Sequence, residues 1–190
     1  MNEKTRRLPP GQHEIDRFPV LQYGNIIHVD RDAYILTIDG LVENPVKLTL
    51  AQVKQLPRQH ETVDIHCVTS WSKLDMKWAG VPFKEIIKLV KPKATARYVI
   101  MHCADDGFTT SLPIEVMSDD DVLVADEYDG APITDSHGGP IRTVVPKKYF
   151  YKSAKWLVRL EFVETDQLGY WERGGYSNTA DPWKEDRYAR

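Results

Sequence analysis

Long apolar runs, a cysteine framework and an excess of one charge are all missing from this chain. No stretch approaches the roughly 18 consecutive apolar residues of a membrane helix. Residues 1–20 contain no secretory apolar core, and Arg6-Arg7 is not followed by the apolar stretch of a twin-arginine export signal. The sequence therefore predicts a cytoplasmic protein with no membrane insertion. Its two cysteines, Cys67 and Cys103, allow at most one disulfide, and a reducing compartment keeps both as thiols. A net charge of −3, from 25 Lys and Arg against 28 Asp and Glu, gives no broad basic field and argues against nucleic acid as a partner. Any anion site has to be local. Internal repeats and low-complexity tracts are absent as well.

What is present is enough apolar material for one core: 42% of the 190 residues are hydrophobic and 10% aromatic. A single domain follows. Residues 1–17, rich in Arg, Lys, Pro and Gly, read as a flexible N-terminal arm, and residues 18–190 as the domain. Tyr34, Leu36 and Ile38 alternate as a half-buried strand that stops at Asp39-Gly40. Thr49 and Gln52 form a capping-box pattern ahead of a short helical face of Leu50, Val53 and Leu56, ended by Pro57. Val63, Ile65 and Cys67 share one side of another strand. Phe83, Ile86, Ile87 and Val90 have the spacing of an amphipathic helix that begins after Pro82. Further strands are predicted at 98–103, 109–112, 122–126, 141–145 and 156–163, separated by Asp-Gly and Gly-Gly punctuation. Many short strands with few helices indicate an α+β domain. The stretch 164–190 lacks periodicity, but its Trp171, Tyr176 and Trp183 predict an ordered tail laid over the core.

Two segments carry chemistry. In the first, the strand pattern ends at His66-Cys67, and Thr69, Ser70, Trp71 and Ser72 follow as residues able to line a pocket. A cysteine on the apolar side of a strand is ordinarily a small core hydrophobe, which is the reading for Cys103. At a strand end facing a loop-lined cavity, a thiol also suits a soft metal. Zinc is disfavoured because adjacent residues in His66-Cys67 and His102-Cys103 point to opposite faces of a strand. A Cys-His hydrolase remains open but has no local signature. In the second segment, Gly138-Gly139-Pro140 fixes a turn where backbone can approach a flat ligand, flanked by His137 and Arg142. Lys152, Ser153 and Lys155 then offer charge and hydroxyl donors suited to a terminal phosphate. Taken alone, these are also compatible with an ordinary turn and solvated lysines.

Together the two segments resemble the molybdopterin-binding domain of the sulfite oxidase family in its short bacterial form, over about Phe18 to the C-terminus. The resemblance implies that Cys67 is the molybdenum thiolate. It assigns the pterin and its phosphate to His66 beside the cysteine and to His137, Arg142, Lys152, Ser153 and Lys155, the last five within a His-Gly-x-Pro-x-Arg stretch and a basic-Ser-x-Lys-Trp stretch separated by a Pro (here Pro146). Lys152 stands where the eukaryotic enzymes have Arg, keeping charge but losing the bidentate fork. Ser111 matches a pterin-contacting serine, and Tyr23 falls where the family places a cofactor-contacting stretch of different residues. Tyr176, five positions after Trp171, matches an active-site tyrosine.

The chain departs from sulfite oxidases after the cysteine, with Trp71 and Ser72 in place of an Arg pair. Trp71 is similar to bacterial methionine-sulfoxide-reducing relatives, whose nearby Glu is Thr69 here. The implied activity is two-electron oxygen-atom transfer on a small substrate, with sulfur-containing compounds among the candidates. Its cofactor would be molybdenum-molybdopterin without heme, and Cys67, Trp71 and Tyr176 would stand at the reaction centre. A separate electron-transfer partner is expected. The alternative is a non-catalytic pterin- or anion-binding scaffold that retains the fold.

Overall fold

The computed structural model describes residues 7–105 and 107–189. Its strands form two sheets. One sheet is built on β1 (His13–Glu14), β4 (Gln59–His66), β5 (Trp71–Pro82), β8 (Leu123–Tyr128), β9 (Ala131–Pro132) and β10 (Arg142–Val144). The other runs in the order β3 (Val46–Thr49), β2 (Ile35–Gly40), β11 (Leu157–Val163), β6 (Tyr98–Cys103) and β7 (Thr109–Pro113). Pairing is antiparallel apart from β1 with β5 and β11 with β2. Helices are short: α1 (Leu50–Gln55), α2 (Phe83–Val90), α3 (Ile114–Met117) and α4 (Tyr170–Arg173). The α+β architecture is the expected one. Among the described residues no helix is long and apolar enough to cross a membrane.

Alternating apolar positions create the main core. Tyr34, Leu36 and Ile38 meet Val99, Met101, Leu160 and Phe162 on one sheet's inner face, and Val81, Val124 and the Phe83-Ile86-Val90 face of α2 close it. A second cluster of Ile65, Met76, Trp78, Leu123, Ala125 and Val144 packs beneath Phe18 and Phe150. The capping box of α1 forms as predicted: the Gln52 amide donates to Thr49 Oγ1 at 3.2 Å and the Thr49 amide to Gln52 Oε1 at 2.9 Å.

Three expectations need correction. The longest strand, β5, was not foreseen, because Lys73, Asp75 and Lys77 on its outer side and a bulge opposite Val63 and Ile65 broke the apolar signal. Residues 7–17 are no free arm: β1 pairs with Trp71 and Ser72, and Arg7 bonds Asp64 at 2.8 Å and Asp75 at 2.6 Å. The rest of the predicted arm lies outside the described residues. Within the tail, Trp171 and Tyr176 pack as expected, but Trp183 is 52% exposed, edge-on to His66.

The tail is tied down by a buried polar network. The Lys152 ammonium donates to Glu172 at 2.5 Å and to Asn178 at 3.2 Å, and the Thr110 hydroxyl donates to Glu172 at 2.7 Å. Asp166 accepts from Ser111 and from Asn178, each at 2.6 Å. Burial lowers the Lys152 pKa while Glu172 opposes the shift. Lys152→Ala leaves the Glu172 carboxylate buried without its cation and should cost about 3–5 kcal/mol in urea unfolding. The double change Lys152→Met with Glu172→Leu should recover most of that loss.

Candidate functional site

Antiparallel pairing brings the β4–β5 and β6–β7 turns and the starts of β10 and β11 to one end of the domain, where a cavity of about 280 Å³ opens. This lies at the low end of the volumes that hold small ligands. Cys67, Thr69 and Trp71 come from the first turn, Cys103 and Phe108 from the second, and His137, Arg142, Ser153, Lys155 and Trp156 from the approaches to β10 and β11. Phe18, Pro19, Leu21, Gln22 and Tyr23, with Val68, Asp105, Phe150, Tyr151 and the tail residues Trp171 and Tyr176, complete the lining.

One side of the cavity concentrates positive charge. Arg142 is 2% exposed and donates to the carbonyls of His137 (2.7 Å), Ser153 (3.1 Å) and Thr143 (3.3 Å), with Phe150 lying 4.3 Å from its guanidinium carbon. It forms no ion pair among the described residues, and burial pushes it down to about 9. Lys155 donates to Ser136 O at 2.7 Å and Gln22 Oε1 at 3.0 Å. Burial first, then the Arg142 charge, brings Lys155 down to about 7. The His137 ring stacks on Phe18 at 3.9 Å, and burial with the two nearby cations lowers it to about 4, so the imidazole is neutral at pH 7. The Ser153 hydroxyl oxygen accepts the Val145 amide at 2.9 Å, which keeps its own O–H as a donor.

Cys67 is buried at 8% exposure, with Sγ 3.1 Å from Thr69 Oγ1. Burial raises its thiol pKa, against the Thr69 hydrogen bonds and the Arg187 charge. The turn is tight: the Cys67 amide donates to Trp71 O at 2.8 Å and the Ser70 amide to Cys67 O at 3.0 Å. Ser70 sits at φ 76°, a left-handed conformation that costs a non-glycine residue roughly 1–2 kcal/mol.

Of the residues singled out in the sequence, Tyr23, Cys67, Trp71, His137, Arg142, Ser153, Lys155 and Tyr176 share this cavity. His66, Ser111 and Lys152 do not line it. The His66 ring is buried behind the turn with Nδ1 2.7 Å from Ser72 Oγ, while Ser111 and Lys152 belong to the network that holds the tail. The glycine turn also works differently from expectation. A Cβ on Gly138 would lie 2.6 Å from the Lys155 Cβ, and one on Gly139 would lie 2.1 Å from the Ile133 carbonyl. Both glycines thus make room for neighbouring protein, and Gly138 lets Lys155 lie close.

Sequence reasoning missed Phe18, Phe150 and Tyr151 as lining residues and read Cys103 as core. Cys103 did carry a signal: like Cys67, it ends a strand immediately before a polar turn. The aromatics carried none, because their neighbours in space are distant in sequence.

The residues present fit an anionic pterin cofactor. Two basic side chains without an ion pair among the described residues, a neutral imidazole and a hydroxyl donor meet two thiols, Cys67 and Cys103, and the Asp105 carboxylate in a single cavity. A family model described as oxidoreductase molybdopterin binding domain matches residues 23–171. The oxidoreductase YuiH of Bacillus subtilis (strain 168) is 40% identical over 98% of this chain and 94% of its own length. The protein-methionine-sulfoxide reductase catalytic subunit MsrP of Burkholderia mallei is 32% identical over 75% of this chain and 49% of its own length. Among solved structures, the sulfane dehydrogenase SoxCD of Paracoccus pantotrophus superposes with a TM-score of 0.68 at 25% identity, covering 74% of this chain and 41% of that one. The chain thus spans about half the length of MsrP and less of the SoxCD chain. With this agreement over most of its length, the chain belongs to the oxidoreductase molybdopterin binding domain family, and it is a molybdopterin oxidoreductase of the sulfite oxidase type.

Proposed function

We propose that the chain catalyses two-electron oxygen-atom transfer on a small neutral substrate, a sulfoxide or its thioether counterpart, with Cys67 as the molybdenum thiolate. The observation that carries this reading is the common cavity of Cys67 with Arg142 and Lys155. When bound, the molybdenum cofactor supplies the oxygen-atom exchange and accepts or returns the two electrons. The protein's part is to hold, orient and shield. Arg142, Lys155, Ser153 and His137 would bind the pterin and its phosphate, and the aromatic lining would keep water away from the reacting atoms.

Charge narrows the substrate. Among the described lining residues, Arg142 and Lys155 are the two with long basic side chains, and a phosphate-bearing cofactor uses both. A dianion such as sulfite would then meet Trp71, Phe108, Trp171 and Tyr176 with no counter-charge. A neutral S–O group suits that surface, and one relative's name specifies methionine sulfoxide. Tyr176 would offer its hydroxyl to the substrate oxygen, and Trp71 would form an adjoining wall. Electrons would pass to or from a separate partner; MsrP is likewise described as the catalytic subunit of its enzyme. A reducing compartment such as the cytoplasm would keep Cys67 and Cys103, both free, as thiols.

Elemental analysis of protein made in a molybdate-fed, cofactor-competent host should show at least about a tenfold loss of molybdenum in Cys67→Ser. Equal metal in both proteins would remove Cys67 from the site. Tyr176→Phe should keep its molybdenum but lower turnover of a methyl sulfoxide about a hundredfold. Sulfite oxidation faster than sulfoxide reduction in the wild type would overturn the neutral-substrate reading. Anion binding should also depend on pH. An anion beside Lys155 raises its pKa from about 7, so binding takes up a proton and weakens as pH rises. Sulfate, which does not titrate in this range, should bind the cofactor-free protein about tenfold more weakly per pH unit above neutrality. Lys155→Arg should flatten that dependence in calorimetry.

A further inference from the structure

Four backbone carbonyls of the Cys67 turn accept hydrogen bonds from outside the family-matched region of residues 23–171. The Gln12 side-chain amide donates to Cys67 O at 3.0 Å, and Arg187 Nη1 donates to Val68 O at 2.5 Å. The His13 amide donates to Ser70 O and the Ile15 amide to Ser72 O, each at 2.9 Å. Gln12 is the centre of the arrangement, because its Oε1 also accepts the Ser72 hydroxyl at 3.2 Å, and that hydroxyl oxygen lies 2.7 Å from His66 Nδ1. Arg187 closes the loop by reaching Gly11 O at 3.4 Å.

Such a set of contacts exceeds what a two-residue edge strand needs. The turn they hold has Ser70 in the left-handed region, so it is not a conformation the chain would keep unaided. Gln12 donates to the carbonyl of the cysteine itself, and its other amide atom fixes the next strand's hydroxyl. Movement of either end of the turn would break one of the two bonds.

We propose that Gln12 is a positioning residue for the Cys67 thiolate, and that the segment through His13 and Glu14, fastened by Arg187, is a clasp that fixes the metal-ligand turn. This rests on Cys67 being the ligand, as proposed above. The clasp lies on the protein side of the turn and does not line the cavity, so its effect on the reaction would pass through the turn it holds, which carries Cys67 and the neighbouring Trp71.

The test is amide exchange by NMR on the full chain, with and without cofactor, for the wild type, Gln12→Ala and Gln12→Glu. Loss of the bond to Cys67 O should speed exchange at Cys67 and Ser70 about fivefold, with β6 and β11 unchanged. Gln12→Glu keeps an acceptor for Ser72 but cannot donate to Cys67, so it should behave like Gln12→Ala. In the loaded protein both variants should shift the thiolate-to-molybdenum charge-transfer band and release molybdenum several-fold faster on dialysis. Unchanged exchange in Gln12→Ala would overturn the clasp while leaving the ligand reading intact. Faster exchange with an unmoved band and unchanged metal release would reduce Gln12 to a structural role and overturn the positioning claim. Full retention of molybdenum by Cys67→Ser would instead refute the ligand reading, and the positioning role with it.

Discussion

A guanidinium sealed inside the domain with no carboxylate partner among the described residues is the constraint around which this site is organised. Removing a cation from water is costly, and the usual remedy is a buried acid. Arg142 has instead three backbone carbonyls and the faces of Phe150 and Trp78. Those carbonyls belong to His137, Thr143 and Ser153, so satisfying one side chain draws the entire 137–153 stretch into a single arrangement. Carbonyl dipoles and ring faces solvate the charge without neutralising it. Lys155 feels what remains, since Arg142 helps to lower its pKa against the opposing pull of Asp105, a carboxylate that also lines the cavity.

Lys152 shows the opposite solution to Arg142, ten residues further along. It is as deeply buried as Arg142, but it has Glu172 and is thereby committed to holding the tail. The sequence offered Lys152 and Lys155 as equivalent phosphate donors. Nothing local separates them, because the difference is made by Glu172, which lies 20 residues further along and faces Lys152 only once the tail has crossed β7. Ser111 was misplaced for the same reason, through Asp166.

What could be read in advance was what short-range physics decides. The Thr49–Gln52 box, the Phe83–Val90 face and strand β6 depend on residues close in sequence, and all three appear where the pattern put them. Much of the candidate site was legible too, because His137, Arg142, Ser153 and Lys155 occur in one compact stretch. The β5 strand was hidden because its outer face carries alternating charge beside a bulge, which imitates a polar loop. The N-terminal segment was hidden because Pro and Gly richness signals mobility unless a partner is known. Its partner is the Cys67 turn, some 55 positions later.

The two His-Cys pairs look alike in sequence, and their surroundings make them different. His66 is buried against Ser72, whereas His102 is half-exposed and pairs with Glu161 at 2.8 Å. Cys103 lies near Arg142 and Lys155, whose charges act on it, yet burial keeps its pKa well above that of an ordinary thiol. That places it beside the groups that would hold the cofactor's anionic end. Cys67 has Thr69 as a hydrogen-bond partner, Arg187 nearby, and a turn whose carbonyls are almost all engaged. A thiolate ligand needs a fixed direction and help against desolvation more than it needs the nearest cation. By both criteria Cys67 is the better candidate, even though Cys103 sits closer to the positive charge.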